Sequence, residues 1–330
     1  MGSFKIAPPV FTLLKNLSLG SSVLWSVVTS RPLSLKESDG RTNILILGVA
    51  GGEHEGARLT DSIIFSSVNP KTNEVTVVSL PRDIWVDSLK NKINSAYELG
   101  EEKQKGGGLV LTKAVVEDIL AQSAHYTVLI DFSGFKKMVD LFGGIEVEVE
   151  NTFDDYKYPI VGRENDLCEG DPEYKCRFEH LHFDKGRQFM DGERALKYVR
   201  SRQAEGKEGT DFARSQRQQK IIFALKQKIL SYETLLNPGK ILALKKILGE
   251  NIVTDIQPSE IDDFFKITKK LNSAKIKTLT LDTGDEENGR DGFLVSPPSF
   301  QYSGAWVLVP RSGNWEEIQK YLASQLKESR

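Results

Sequence analysis

The chain has 330 residues, enough for one large domain or two small ones. Its 44 Lys and Arg nearly balance 46 Asp and Glu, a net charge of −2, so it lacks the basic excess that nucleic-acid binding calls for. Only two cysteines are present, which excludes a four-cysteine zinc module.

The N-terminus is the first feature in chain order. Ile6 to Ser30 is mostly apolar but is interrupted by Lys15 and Asn16. The run after Asn16 falls short of the roughly 20 residues that a bilayer span needs, and Phe11 to Leu14 extend it at the cost of one enclosed lysine. We read residues 1–42 as a weak or trimmed membrane-anchor segment followed by a polar linker. A buried helix and a signal peptide are the alternatives, although no small-residue cleavage site is evident.

Asn43 to Val49 (NILILGV) is a fully apolar run of strand length, suited to a central strand. A loop with Gly51 and Gly52 follows. Ser62 to Val68 and Val75 to Leu80 then form a hairpin around NPKTNE, with Pro81, Arg82 and Asp83 directly after it. A helical region begins at KINSAYELG, breaks at Gly106 to Gly108, and resumes as an amphipathic helix from Leu109 to Gln122 with Val110 and Ile119 among its apolar residues. Tyr126 to Asp131 is a strand, Phe132 to Phe142 a helix, and Ile145 to Val149 a strand. Asn151 to Gly186 reads as a long irregular insertion holding Cys168 and Cys176. A short disulfide-closed loop, which implies an oxidising compartment, is preferred over two free thiols.

The densest chemistry lies in RALKYVRSRQAEGKEGTDFARSQRQQ, which carries Arg194, Arg200, Arg202, Arg214 and Arg217. A helix is expected up to about Val199, with an extended exit that puts Arg200 and Arg202 on one face. Thr210 suits the N-cap of a second helix, on which Asp211, Arg214, Arg217 and Gln218 share the face of the first turns. Ile221, Ile222, Leu225 and Ile229 carry its apolar stripe. Planar guanidinium forks beside a helix N-terminus suit a phosphate or pyrophosphate; a solvated, salt-bridged surface helix is the plain alternative. Beyond about 237 come helices from Ile241 to Leu248, Pro258 to Leu271 and Trp315 to Leu326, and strands from Lys275 to Leu281 and Ala305 to Val309. Alternating strands and helices imply a layered α/β domain. The four histidines, His54, His125, His180 and His182, show no metal-motif spacing such as HExxH.

The ordered set NILILGV, LTDSIIFSSVNPKTNEVTVVSLPRD, KINSAY, DFSGFKKMVDLFGGIEVEV, MDGERALKYVRSR and DFARSQRQQ, spanning Asn43 to Lys228, resembles the LytR–CpsA–Psr family. The resemblance implies an α/β fold, a layered α-β-α domain over 43–330 with a central mixed sheet flanked by helices. Residues 151–186 would be a cysteine-containing insertion and those from about 237 a C-terminal extension. It implies an extracytoplasmic, membrane-anchored phosphotransferase that takes a glycopolymer from a polyprenyl-pyrophosphate carrier and joins it to peptidoglycan by a phosphodiester. Arg82, Arg200, Arg202 and Gln218 would contact the pyrophosphate. Lys92, Arg214 and Arg217 would support that site, and Asp83 and Asp211 belong to the same substrate-binding group. Asp61 would bind Mg2+. The polyprenyl tail would lie in an apolar cavity between sheet and helices. Asp83 also has the chemistry of a base, with an ion pair to Arg82 or a neighbour as the other reading. The family's usual second metal carboxylate, in a GVD-like triplet, is here Ala50, with Glu53, His54 and Glu55 in the following loop. Two other readings of the chain are a non-catalytic binder of polyprenyl-linked glycans and a lipid-pyrophosphate hydrolase.

Overall fold

The computed structural model describes residues 34–330 apart from 53–55, 161, 164, 230–236, 271–273, 286–288 and 328–330. The anchor expected in 1–42 therefore lies almost wholly outside the described residues, as do Glu53, His54 and Glu55. Among the described residues no helix is long and apolar enough to cross a membrane.

The elements that position the site are, in chain order, β1 (Thr42–Val49), β2 (Thr60–Asn69), β3 (Glu74–Leu80), α1 (Ala96–Lys103), α2 (Gly107–Leu120), β4 (Tyr126–Asp131), α3 (Phe132–Leu141), β5 (Ile145–Val149), β6 (Phe153–Pro159), β7 (Phe178–Phe183), β8 (Gly186–Met190), α4 (Gly192–Arg200), α5 (Asp211–Ile229), α6 (Pro238–Asn251), β9 (Ile252–Thr254), α7 (Ile261–Lys270), β10 (Lys275–Thr280) and α8 (Glu316–Leu326). Six strands form one mixed sheet in the order β9-β4-β1-β2-β3-β10. β1 pairs antiparallel with β2 and parallel with β4, and β3 pairs parallel with β10. NILILGV is apolar from Ile44 onward because it lies mid-sheet with both faces covered, and its one polar residue, Asn43, is buried and donates to Ser123 O at 2.7 Å. Leu45, Leu47 and Val49 face a core built with Val116, Ile119 and Leu120 of α2 and Ile318 and Leu322 of α8. A second core joins Val139 of α3 to Ile221 and Leu225 of α5. The result is a three-layer α-β-α arrangement.

Registers decide what meets at the sheet's end. Val49 lies opposite both Thr60 and Asp131, and Ile63 opposite Leu80. The C-terminal ends of β1, β3 and β4 and the start of β2 therefore share one edge. The loop leaving β1 is pressed against that edge: Gly51 has φ +74°, and a Cβ there would come within 2.8 Å of the Asp131 Cβ. Only glycine fits such a turn.

Four expectations are corrected. Residues 151–186 are not irregular throughout: β6 and β7 pair antiparallel at the two ends of the stretch, and Phe153, Tyr158, Leu181 and Phe183 turn inward onto the second core. The residues beyond 237 are no mere extension, because β9 and β10 complete both edges of the central sheet. Ala305 to Val309 is not a strand along its length: Val309 and Pro310 pair with Val295 and Leu294, while Leu308 bridges Ile84. Finally, Ile222 is 42% exposed, although its neighbour Ile221 is buried at 1%.

Cys168 and Cys176 form a disulfide, with Cα atoms 5.5 Å apart, in the loop between β6 and β7. Protein made without reductant should show two hydrogens fewer by mass spectrometry and no alkylatable thiol. Closing so short a loop contributes at most about 2.5 kcal/mol by restricting the unfolded chain. Urea titration with and without reductant measures that difference, and two alkylatable thiols in the unreduced protein would contradict the pairing.

Candidate functional site

Asp61, the second residue of β2, and Arg82, two residues past β3, meet at the shared sheet edge, where Arg82 Nη1 donates to Asp61 Oδ1. The next residue, Asp83, is 5% exposed. It takes a hydrogen bond from Lys92 Nζ at 2.7 Å and faces Arg202 Nη2 at 3.5 Å and Arg82 Nε at 3.6 Å. A buried carboxylate is stable only when compensated in this way. Its oxygens are held by cations, so the ion-pair reading of Asp83 describes its surroundings and the base reading does not.

The second side comes from the end of α4. Asp191 caps that helix by accepting from Arg194 N at 2.8 Å. Arg200 is its last residue, and Ser201 turns extended (φ −51°, ψ 126°). The buried Asp155 of β6 holds this exit by accepting from Ser201 Oγ at 2.7 Å and from the backbone N–H groups of Arg202 and Gln203 at 3.2 Å each. The Arg200 guanidinium lies 4.5 Å from the Phe132 ring centre and 5.6 Å from that of Tyr158, and donates to the Tyr158 hydroxyl at 3.3 Å. Contacts of a guanidinium with aromatic faces restrain it while N–H groups on its edge can still meet an anion. Burial pushes the Tyr158 phenol up to about 12, so it stays protonated at neutral pH.

The third side is α5. Thr210 Oγ1 accepts from Ala213 N at 3.2 Å, the geometry of an N-cap. Gln218 Nε2 donates to Ser62 Oγ at 2.9 Å, tying α5 to β2. These three sides enclose a cavity of ≈ 1050 Å³ lined by Asp61, Arg82, Arg200, Arg202, Arg214 and Gln218 among others. Its wall carries five cations (Arg82, Lys157, Arg200, Arg202, Arg214) against three carboxylates (Asp61, Asp155, Glu205), a local excess of two positive charges. Phe132, Tyr158, Pro159, Val199 and Trp306 supply apolar wall.

Three expected site residues stand behind this wall. Asp83 and Lys92 back Arg82 and Arg202 and are not part of the lining. Arg217 is 2% exposed and is not part of the cavity lining. It donates to Tyr198 O at 3.0 Å, Ser201 O at 2.8 Å and Glu208 at 2.8 and 2.9 Å. Spacing alone could not separate it from Arg214, because both sit on the same helix face. The Asp211 side chain lies outside the described residues. Sequence reasoning missed Asp155, Tyr158 and Phe132. The last two belong to no charged motif, and Asp155 lies in the stretch read as an irregular insertion.

The cavity also tests the fit of a magnesium ion. Asp155 is engaged by four donors, Ser201 Oγ and the N–H groups of Lys157, Arg202 and Gln203, and Ala50 offers no side-chain ligand. Asp61, although it also accepts from Arg82, is the wall carboxylate that lies at the sheet edge beside the arginines, and Mg2+ accepts one carboxylate when phosphate oxygens and water complete its shell.

The sequence model of the LytR_cpsA_psr family matches residues 22–303. This chain belongs to the LytR–CpsA–Psr family. A relative from Bacillus subtilis (strain 168), named polyisoprenyl-teichoic acid–peptidoglycan teichoic acid transferase TagV, is 29% identical over 291 residues, covering 86% of this chain and 64% of that protein. A TagU of the same described activity from Enterococcus faecalis (strain ATCC 700802 / V583) is 32% identical over 270 residues, covering 78% of this chain and 73% of the relative. The crystal structure of B. subtilis TagV superposes with a TM-score of 0.59 at 27% identity, covering 89% of this chain and all of that one. The family's layered α/β fold is thus present here.

Proposed function

We propose that this LytR–CpsA–Psr protein is a magnesium-dependent phosphotransferase that moves a glycopolymer from a polyprenyl-pyrophosphate carrier to peptidoglycan at the outer face of the membrane. The observation that carries the reading is the convergence of Arg82, Arg200, Arg202 and Arg214 with Gln218 around Asp61 in one cavity. Relatives named as teichoic acid transferases supply the class of donor and acceptor. The disulfide agrees with an oxidising, extracytoplasmic setting.

In this reaction an acceptor sugar hydroxyl attacks the phosphorus that bears the glycan. A new P–O bond forms, the P–O bond to the bridging oxygen breaks, polyprenyl phosphate departs, and the hydroxyl proton goes to solvent or to the leaving phosphate. Phosphoryl transfer asks mainly for positioning and charge stabilisation. Arg200, clamped between Phe132 and Tyr158, and Arg202, braced on Asp83, would grip the non-bridging oxygens. Arg82 and Gln218 would orient the second phosphate. Asp61 would hold the magnesium, which when bound neutralises charge on the leaving phosphate. The apolar wall formed by Val199, Pro159 and Trp306 would take the first isoprene units.

The test is incubation of the purified protein with a lipid-pyrophosphate glycan, peptidoglycan fragments and magnesium. A polymer–peptidoglycan phosphodiester is the expected product. Free sugar phosphate would instead show a hydrolase. Carrier binding without turnover would show a non-catalytic binder, the reading that Ala50 favours by removing one metal carboxylate.

The metal assignment has its own outcome. Magnesium titration should show weak binding to the protein alone and tighter binding with a pyrophosphate ligand present. Asp61→Asn should lose that ligand-dependent binding, and Ala50→Asp should strengthen binding to the free protein. Unchanged magnesium dependence in Asp61→Asn would remove Asp61 from the metal site.

A further inference from the structure

A second cluster of ligand-type side chains lies on the outer face of the β6–β7 hairpin. Asp154 and His182 are directly opposite each other across the pair. His180 is two residues from His182, so both imidazoles stand on the same strand face as Asp154. Leu181 and Phe183, at the alternate positions, are buried in the core and fix that orientation. Asp154 Oδ1 lies 2.6 Å from His180 Nε2 and 2.8 Å from His182 Nδ1. One ligand atom from each of the three falls within 4.8 Å of the others.

Two supporting contacts hold the imidazoles. The Tyr156 ring stacks on His180 with centres 4.3 Å apart and planes 8° from parallel. Asp184 Oδ1 lies 3.1 Å from His182 Nε2, on the far side of the ring from Asp154. A carboxylate accepting from one imidazole nitrogen leaves the other nitrogen with a lone pair directed at its partner. In a neutral His182 that donates to Asp184, Nδ1 and Asp154 Oδ1 would confront each other as two acceptors. Either a second proton on the ring or a cation between the two atoms removes that repulsion.

We propose that Asp154, His180 and His182 bind a Zn2+ ion, with Asp184 as the carboxylate that orients His182. Two imidazoles and one carboxylate suit zinc and disfavour magnesium, which prefers oxygen ligands. Zinc bonds of about 2.0–2.2 Å in tetrahedral geometry need ligand atoms roughly 3.3 Å apart. The contacts at 2.6 and 2.8 Å must therefore open by about half an ångström or slightly more, which side chains 28% to 48% exposed can do by small χ rotations. Three protein ligands leave a fourth position for water or an incoming oxygen. Tyr156, which stacks on His180, also lines the arginine cavity. The zinc thus sits at the rim of that cavity and stiffens the strand that carries Asp155 and Tyr158. The ligands escaped the sequence search because 26 and 28 residues separate Asp154 from the two histidines, and only the hairpin register brings them together. Among the described residues the other cluster of ligand-type atoms, Asp166 with Cys168 and Cys176, has both sulfurs in the disulfide and offers no thiolate.

The experiment uses full-length, tag-free protein stripped of metal and titrated with Co2+ as a spectroscopic probe, followed by displacement with Zn2+. Wild type should take up one equivalent with a visible ligand-field band that zinc abolishes and a thousandfold excess of magnesium leaves in place. His180→Gln and His182→Gln should each lose the band, and Asp184→Asn should weaken binding by about 10-fold. Asp166→Asn, in the disulfide cluster, should bind as wild type does. Melting of the metal-free variants establishes that they are folded. Absence of cobalt uptake by wild type, or equal uptake by the His180→Gln/His182→Gln double variant, would overturn the proposal, as would displacement of cobalt by magnesium.

Discussion

Arg217→Ala is expected to destabilise the protein by about 3–5 kcal/mol, the usual cost of removing one partner from a buried ion pair. The residue is 2% exposed and donates to the carbonyls of Tyr198, Ser201 and Glu208 and to the Glu208 carboxylate. Its guanidinium also lies 5.0 Å from the Phe153 ring centre. Burial pulls its pKa down from the usual guanidinium range, with Glu208 opposing that pull. In the alanine variant three carbonyls lose their donors and Glu208 is left without its cation. Arg217→Met keeps much of the volume but none of the donors, so it should recover only the packing part of the loss. The measurement is the urea midpoint, with the slope checked for constancy so that the shift reports stability. A loss below about 1 kcal/mol, typical of surface pairs, would mean that the buried network is not what holds the α4 exit. Arg217 fixes Ser201 and Tyr198, on either side of Arg200, so weaker substrate gripping should accompany the lost stability. Arg214, three residues away on the same helix, lines the cavity instead.

What could be read from the sequence follows from how local each signal is. NILILGV is legible as a central strand because burial on both faces leaves an unbroken apolar run from Ile44 to Val49 after Asn43. Asp61 and Arg82 are legible as neighbours because a hairpin returns the chain to the end it left, and the pairing of Ile63 with Leu80 is that return. The β6–β7 hairpin was hidden because its inward positions include a charged residue: Asp155 is 1% exposed and answers the α4 exit 46 to 48 residues away. A register shift between Asp155 and Tyr158 also breaks the two-residue alternation that announces a strand. β9 has only three residues, below the length at which periodicity carries information. The different surroundings of Arg214 and Arg217 follow from the packing of α5 against β5 and α4, which no spacing rule contains.

Replacing Arg200 or Arg202 with lysine is expected to lower transfer, as kcat/KM, by about 10²–10³-fold each, the range seen when one preorganised donor to a developing charge is lost. The positive charge survives in both variants, so the loss would come from geometry. The Arg200 guanidinium lies over the Phe132 ring and against Tyr158, and an ammonium on a flexible stem neither matches those ring contacts nor presents two parallel donors. Arg202 faces the buried carboxylate of Asp83 while its backbone N–H is tied to Asp155. A lysine there would keep the backbone anchor and lose the fork. Phe132→Leu separates stacking from charge: with the guanidinium intact but one ring gone, a smaller fall of roughly 2- to 30-fold follows from a cation–π contribution of about 0.5–2 kcal/mol. Carrier affinity should weaken less than kcat if the forks act chiefly on charge that develops as the P–O bond breaks. Lysine variants that kept both turnover and carrier affinity would show that Arg200 and Arg202 do not grip the pyrophosphate, and the cavity's excess positive charge would need another ligand.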